Sequence, residues 1–205
     1  QATRAAVVPA PTRAADQAAR DSAALERLSN DWAGFRRYRA ANAALAAPKP
    51  GENRVVFYGN SITDSWARYF PSMFAGKPYI GRGISGQTTP QMLVRFHQDV
   101  VALAPTVVVI LAGTNDIAGN TGPSTPEMIE DNLMAMTEIA RQHHIRVVLS
   151  SVLPVFDYPW KPGLEPAPKI IALNAWMARY ASEVGRRVQR TVAYEIQAGQ
   201  QAIHK

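Results

Sequence analysis

One serine stands out for what precedes it. In Arg54-Val55-Val56-Phe57-Tyr58-Gly59-Asn60-Ser61-Ile62-Thr63-Asp64 an apolar run breaks at Gly59 and delivers Ser61 immediately afterwards. A hydroxyl performs acyl transfer when it has access to a proton acceptor and when donors face the oxyanion that develops. Two more stretches carry residue types that supply such donors. In Gly81-Arg82-Gly83-Ile84-Ser85-Gly86, Gly83 would present a backbone N–H close to a substrate; in Gly113-Thr114-Asn115-Asp116, Asn115 would present a side-chain N–H. Each also has a plain structural explanation, since Asn60, Ser61 and Thr63 suit a helix cap, Gly83 a turn and Asn115 a loop bridge. Their joint occurrence at the ends of three apolar runs argues for chemistry.

The elements that must position them follow from periodicity. Val55 to Tyr58 is β-branched and aromatic and too short for a helix, so it reads as a buried strand that turns at Gly59, which tolerates unusual dihedrals, into a helix starting near Ser61. Residues 1–14 read as an unstructured lead. Ala15 to Ala46 reads as an amphipathic helix or helix pair, with Leu25, Leu28, Trp32, Phe35 and Tyr38 at steps of three and four and a break at Asn30-Asp31. A second strand is predicted over 77–81 and a helix from Pro90 to Leu103, with Thr89-Pro90 as its start. The continuous Val/Ile/Leu run from Thr106 to Leu111 is the pattern of a central parallel strand. A helix over 127–143, a strand over 145–152, a Pro- and aromatic-rich loop from Pro154 to Pro168, a helix over 169–185 and a last strand over 187–194 complete the pattern. This alternation predicts an α/β domain over 15–205 with a parallel sheet of about five strands, right-handed crossovers and helices on both faces. All strand carboxyl ends then share one edge, where Ser61, the Gly83 loop and Asn115 converge.

Composition bounds the rest. A chain of 205 residues, 47% hydrophobic, suits one sizeable core, and no apolar run approaches the ~20 residues a membrane helix needs. The absence of cysteine excludes disulfides and thiolate metal sites. The net charge of +6 reads as a solvated helix face, because no nucleic-acid motif accompanies it. The chain opens at Gln1-Ala2-Thr3-Arg4 without Met or an apolar leader, which suggests a mature secreted or periplasmic protein, or a trimmed chain. Gly81-x-Gly83-x-x-Gly86 also matches a dinucleotide fingerprint, but the acidic residue wanted ~20 positions on would be Asp99, inside a helix instead of at a strand end. The adjacent His143 and His144 face different sides of a helix and make a poor metal pair.

From about Asp31 to Gly185 the sequence resembles the SGNH (GDSL-type) hydrolases. The resemblance rests on Gly59-Asn60-Ser61-Ile62-Thr63, on Gly81-Arg82-Gly83-Ile84-Ser85-Gly86 and on Gly113-Thr114-Asn115-Asp116, in that order; Asn60 stands where the commoner motif has Asp. It implies a flavodoxin-like three-layer α/β/α domain with an N-terminal helical extension. It further implies a metal- and cofactor-free esterase with Ser61 as nucleophile and Gly83 and Asn115 in the oxyanion hole. The platelet-activating-factor acetylhydrolase-like and carbohydrate acetylesterase-like branches suggest a short-chain acyl ester or acetylated sugar as substrate, and no nucleic acid; oligomer formation is left open. One departure matters, because the family's closing Asp-x-x-His, which supplies the general base, occurs nowhere in the chain. His143 and His144 end a helix at the opposite sheet edge, and His97 lies roughly 10 Å of helical rise from the active edge. His204, in Gln201-Ala202-Ile203-His204, keeps the spacing with Gln in place of Asp. A Gln orients an imidazole without stabilising imidazolium as a carboxylate does. Two readings follow, a serine esterase and an ester- or sugar-binding pseudoenzyme that kept the oxyanion pocket and lost its base.

Overall fold

The computed structural model describes residues 13–187 and 192–195. Along the chain run α1 (Arg13–Asn30), α2 (Arg39–Ala44), β1 (Val55–Gly59), α3 (Ser61–Tyr69), α4 (Pro71–Phe74), β2 (Tyr79–Gly83) and α5 (Thr89–Asp99). After a 3-10 turn (Val101–Leu103) come β3 (Val107–Leu111), α6 (Thr114–Ile117), α7 (Pro126–Gln142), β4 (Arg146–Ser150), α8 (Ala167–Arg187) and β5 (Val192–Glu195). The five strands form one parallel sheet in the order β2-β1-β3-β4-β5, with register pairs Gly59↔Gly83, Gly59↔Leu111 and Ser150↔Glu195 at the carboxyl edge. This is the flavodoxin-like order, and the chain reverses direction across the sheet between β1 and β3.

Local sequence explains the element starts. Thr88 and Gln91 form a capping box at α5 with Pro90 in its first turn, and the Thr125 side chain accepts from the Met128 N–H at the start of α7. Val56, Tyr58, Val108, Ile110, Val147 and Leu149, at alternate strand positions, face one side and are buried against Met92 and Phe96 of α5 and Leu133 and Met136 of α7. On the other side Phe57 meets Trp66 of α3, Phe74 of α4 and Tyr79 edge-on at 6.3, 5.6 and 5.4 Å, giving helix, sheet and helix layers. Burial of Ile170, Leu173 and Met177 seats α8 at the β4–β5 end.

The N-terminal stripe departs from expectation. Of the residues set on one apolar face, Tyr38 is buried, yet Leu25, Trp32 and Phe35 are 68%, 41% and 37% exposed. The helix ends at Asn30, as the break predicted, but the Asp31 carboxylate then accepts from the Phe35 and Arg36 amides and folds the chain into turns, so the stripe never lies along one helix. The second strand starts two residues later than expected because Lys77 is held in a turn by the Phe74 carbonyl. That shift makes Gly83 the last residue of β2 instead of a loop residue.

Candidate active site

The β1–α3 elbow is set by space. A Cβ on Gly59 would lie 2.2 Å from Thr63 Oγ1 and 2.8 Å from the Leu111 carbonyl, so only glycine lets α3 start this close to β3. Gly59 is absent from the positive-φ residues, so its role is close approach and not unusual dihedrals. Ser61 becomes the first residue of α3, where backbone N–H groups have no intrahelical acceptor. It stands at the β1/β3 switch point, where ligands of open parallel sheets bind. Its Oγ bonds to none of the described residues.

Asn115 emerges from neighbouring β3 through Gly113, whose φ of +113° turns the chain into α6. It is buried, and its Nδ2 donates to the Gln87 carbonyl at 2.8 Å, leaving a second N–H on the same nitrogen. The two glycines of the second block separate sharply. Gly83 is buried, and a Cβ there would lie 2.1 Å from the Asp64 nitrogen and 2.8 Å from the Asn60 carbonyl. Its carbonyl accepts from Tyr38 Oη, and the β1–β2 register turns its amide toward that same outer side. Gly86 is exposed, beside Asn120, which donates to its carbonyl, and beside Gln87, which Asn115 holds. Gly83 is thus a buried close-approach glycine with its carbonyl held by Tyr38, whereas Gly86 is the exposed glycine of the block.

A polar network that the sequence reading missed fixes these loops. Arg95 of α5 is fully buried and donates to the carbonyls of Gly59 and Arg82, to Gln87 Oε1 and to Asp99 Oδ2 at 2.9 Å. Gln87 Nε2 reaches the Ala33 carbonyl, and Asn42 joins Asp99 Oδ1 to Arg82 Nε. Burial raises the Tyr38 hydroxyl pKa and lowers that of the Arg82 guanidinium. Asp116 accepts from the Thr89 N–H at 2.9 Å and its hydroxyl at 2.6 Å; burial nevertheless raises its carboxyl pKa, with those bonds opposing.

On the far side of Ser61 opens a cleft of about 250 Å³, walled by Leu111, Ala112, Val152, Leu153 and Val155. Tyr158 and Trp160, stacked at 4.8 Å, close it, and Tyr158 Oη pairs with Thr114 Oγ1 at 2.9 Å. Burial raises the Tyr158 pKa. The loop carrying this pair is pinned by Asp157, which accepts from the Tyr158, Gly163 and Leu164 amides, and by Lys161, which donates to the Ala118 carbonyl. Asn60 lines the cleft beside Ser61, buried, with both side-chain polar atoms lacking a partner.

None of the histidines among the described residues reaches this edge. His143 and His144 precede β4 at its amino end, and His97 meets His143 edge-on at 5.9 Å, so it belongs to that end too. His204 lies outside the described residues.

With this geometry in view, the relatives fit. A model of the GDSL-like Lipase/Acylhydrolase family matches residues 57–195, and the chain belongs to that family. A GDSL-like lipase of Bacteroides thetaiotaomicron is 44% identical with a TM-score of 0.76, over 81% of this chain and 78% of that one. A Bacteroides fragilis protein described as an acylhydrolase is 42% identical with a TM-score of 0.77, over 82% and 78%. The uncharacterized lipoprotein YqeF of Bacillus subtilis is 32% identical over 81 residues, which span 38% of this chain and 33% of the lipoprotein. Among the described residues no helix is long and apolar enough to cross a membrane.

Proposed function

We propose that the chain is a carboxylic ester hydrolase acting on short-chain acyl esters through an acyl-Ser61 intermediate. The observation that carries this is Ser61 at the first position of α3, on the β1/β3 switch point, open to an apolar cleft. Ser61 Oγ attacks the ester carbonyl carbon, the carbon–alkoxide bond breaks, and the serine proton leaves with the alcohol; water then attacks the acyl carbon, the acyl–Oγ bond breaks, and a water proton returns to Ser61 as the acid is freed. The Ser61 N–H, the free Asn115 Nδ2–H and the Gly86 N–H stabilise the oxyanion, with Gly86 taking the part first given to Gly83 because it is the accessible glycine. Neither a cofactor nor a metal enters this scheme. The lipoprotein relative supports an exported or envelope location.

The proton acceptor divides two readings. His204 is the base in the first. The second, an ester-binding pseudoenzyme, draws on the missing Asp-x-x-His and on the lack of a histidine near Ser61 among the described residues. Initial rates of p-nitrophenyl acetate hydrolysis by wild type, Ser61→Ala and His204→Ala at one pH decide between them. The hydrolase reading expects Ser61→Ala to lose several orders of magnitude in kcat, and His204→Ala to lose nearly as much if the two act as a unit. A His204→Ala protein with full Ser61-dependent activity removes His204 as base. A wild type no faster than Ser61→Ala overturns the hydrolase reading.

A further inference from the structure

We infer that Gln87 is a positioning residue for acyl transfer at Ser61, and that it acts from a support, residues 32–38, lying outside the stretch 57–195 that carries the family pattern. The part played by Asn115 at Ser61 rests on the proposed function; the coupling of Asn115 through Gln87 to this support does not.

Three observations carry it. The first is what Gln87 joins. Its backbone carbonyl accepts from Asn115 Nδ2 at 2.8 Å and so sets where that side chain lies. Its own side chain is buried and occupied in both directions, with Oε1 accepting from Arg95 Nε at 2.6 Å and Nε2 donating to the Ala33 carbonyl at 2.6 Å. Arg95 in turn donates to the Gly59 carbonyl at the elbow. One residue therefore ties the elbow, the Gly86 loop and Asn115 to a single point on the N-terminal segment. The second is how closely that segment meets the loop. Gly34 has a φ of +70°, and a Cβ there would lie 3.1 Å from Ile84 Cδ1 and 3.3 Å from Gln87 Nε2. A side chain at that point would push the two apart. The third is how the support itself is held. Gln91 Nε2 donates to the Trp32 carbonyl and Gln98 Nε2 to the Phe35 carbonyl, while Tyr38 Oη donates to the Gly83 carbonyl at the end of β2. Trp32 and Phe35 keep their side chains largely in solvent, so directional bonds to the main chain, more than burial of these rings, fix the path of the segment. Such bonds suit a part whose task is placement.

Double-mutant cycles on the whole protein test this. Gln87→Met keeps a side chain of similar length and removes both of its amide bonds. Gly34→Ala displaces the support from the other side, at a half-buried turn position, and serves if Gln87→Met fails to fold. Each should slow phosphonylation of Ser61 by a fluorophosphonate roughly tenfold, since misplacing a reacting group by about 1 Å costs up to about 10²-fold. Each should lose most of that effect in an Asn115→Ala background, where the donor being positioned is already gone. A support that serves stability alone would give no slowing, or equal slowing in both backgrounds, and either result overturns the inference. A second readout is independent of hydrolysis. Hydrogen exchange of the Asn115 Nδ2 protons, followed by NMR and assigned by their loss in Asn115→Ala, should be roughly tenfold faster in Gly34→Ala, because Gly34 meets Gln87 and Gln87 holds Asn115. Unaltered exchange overturns the coupling. Failure of the two inferences is distinguishable. Faster exchange in a protein without Ser61-dependent hydrolysis sinks the hydrolase and keeps the support, while Ser61-dependent hydrolysis with exchange and rates unaltered does the reverse.

Discussion

The two flanks of Ser61 are built from different materials. On the β2 side, Arg95, Gln87, Asn42, Asp99 and Tyr38 form a buried polar network whose acceptors include the carbonyls of Gly59, Arg82 and Gly83. On the β4 side the wall is apolar, its aromatic pair held by one hydroxyl–hydroxyl contact and by loop bonds through Asp157 and Lys161. The contrast separates two tasks. Oxyanion donors must be placed to a few tenths of an ångström, and directional, fully satisfied hydrogen bonds do that. An apolar group held on the β4 side would need only contact and dryness.

The contrast predicts effects of very different size. Arg95→Met should be the most damaging, costing about 3–5 kcal/mol, because it leaves Asp99 and two strand-end carbonyls without their shared donor in a site that excludes water. Urea denaturation measures it; a loss under 1 kcal/mol would mean the network is dispensable. Next, Asn115→Ala should slow phosphonylation of Ser61 by a fluorophosphonate roughly 10²-fold, about 2.7 kcal/mol, with little change in melting temperature. Equal rates, or a protein that unfolds, would make Asn115 a structural bridge between β3 and Gln87.

Asp116, on the polar flank, gives a smaller, pH-dependent effect. Its folded pKa lies above its unfolded value because of burial. Its stabilising contribution is therefore fully present below the unfolded pKa of ~3.9 and is lost as pH rises through the folded one. The stability difference between Asp116→Asn and wild type should accordingly move in favour of the variant as pH goes from 4 to 7. A difference independent of pH would contradict the raised pKa.

How much of this was legible follows the same division. The elbow at Gly59-Asn60-Ser61 could be read because its signal is local: a β-branched run, a glycine, a helix start. The parallel α/β class followed from the alternation of runs, and the flavodoxin-like arrangement from the resemblance. Arg95 escaped because two of its four acceptors are backbone carbonyls, which carry no residue-type signature, at Gly59 and Arg82, 36 and 13 positions away. A clue existed: Met92, Arg95, Phe96 and Asp99 fall at steps of three and four, which sets an ion pair on the apolar face of α5. Gly83 and Gly86 look alike in sequence; only burial, decided by the approach of Asp64 and Asn60, tells them apart. The Pro- and aromatic-rich loop was legible, but not the cleft it walls nor the direction of its side chains, which the distant partners Thr114 and Ala118 decide.

The smallest expected effect lies on the apolar flank and sharpens the comparison most. Tyr158→Phe removes one hydroxyl and keeps the ring volume, so packing against Trp160 survives and the transfer term favours the change. What is lost is the 2.9 Å contact with Thr114 Oγ1, worth about 1 kcal/mol. Thr114 is only half-buried and regains a partner in water, which limits the loss further. The contact ties the aromatic wall to the residue beside Asn115, so its removal tests whether the flanks are mechanically separate. If they are, the variant keeps the wild-type fluorophosphonate rate at Ser61. A rate at Ser61 reduced tenfold or more would show that the hydroxyl pair also positions α6 and Asn115, and the division between a polar flank and a separate apolar one would have to be given up.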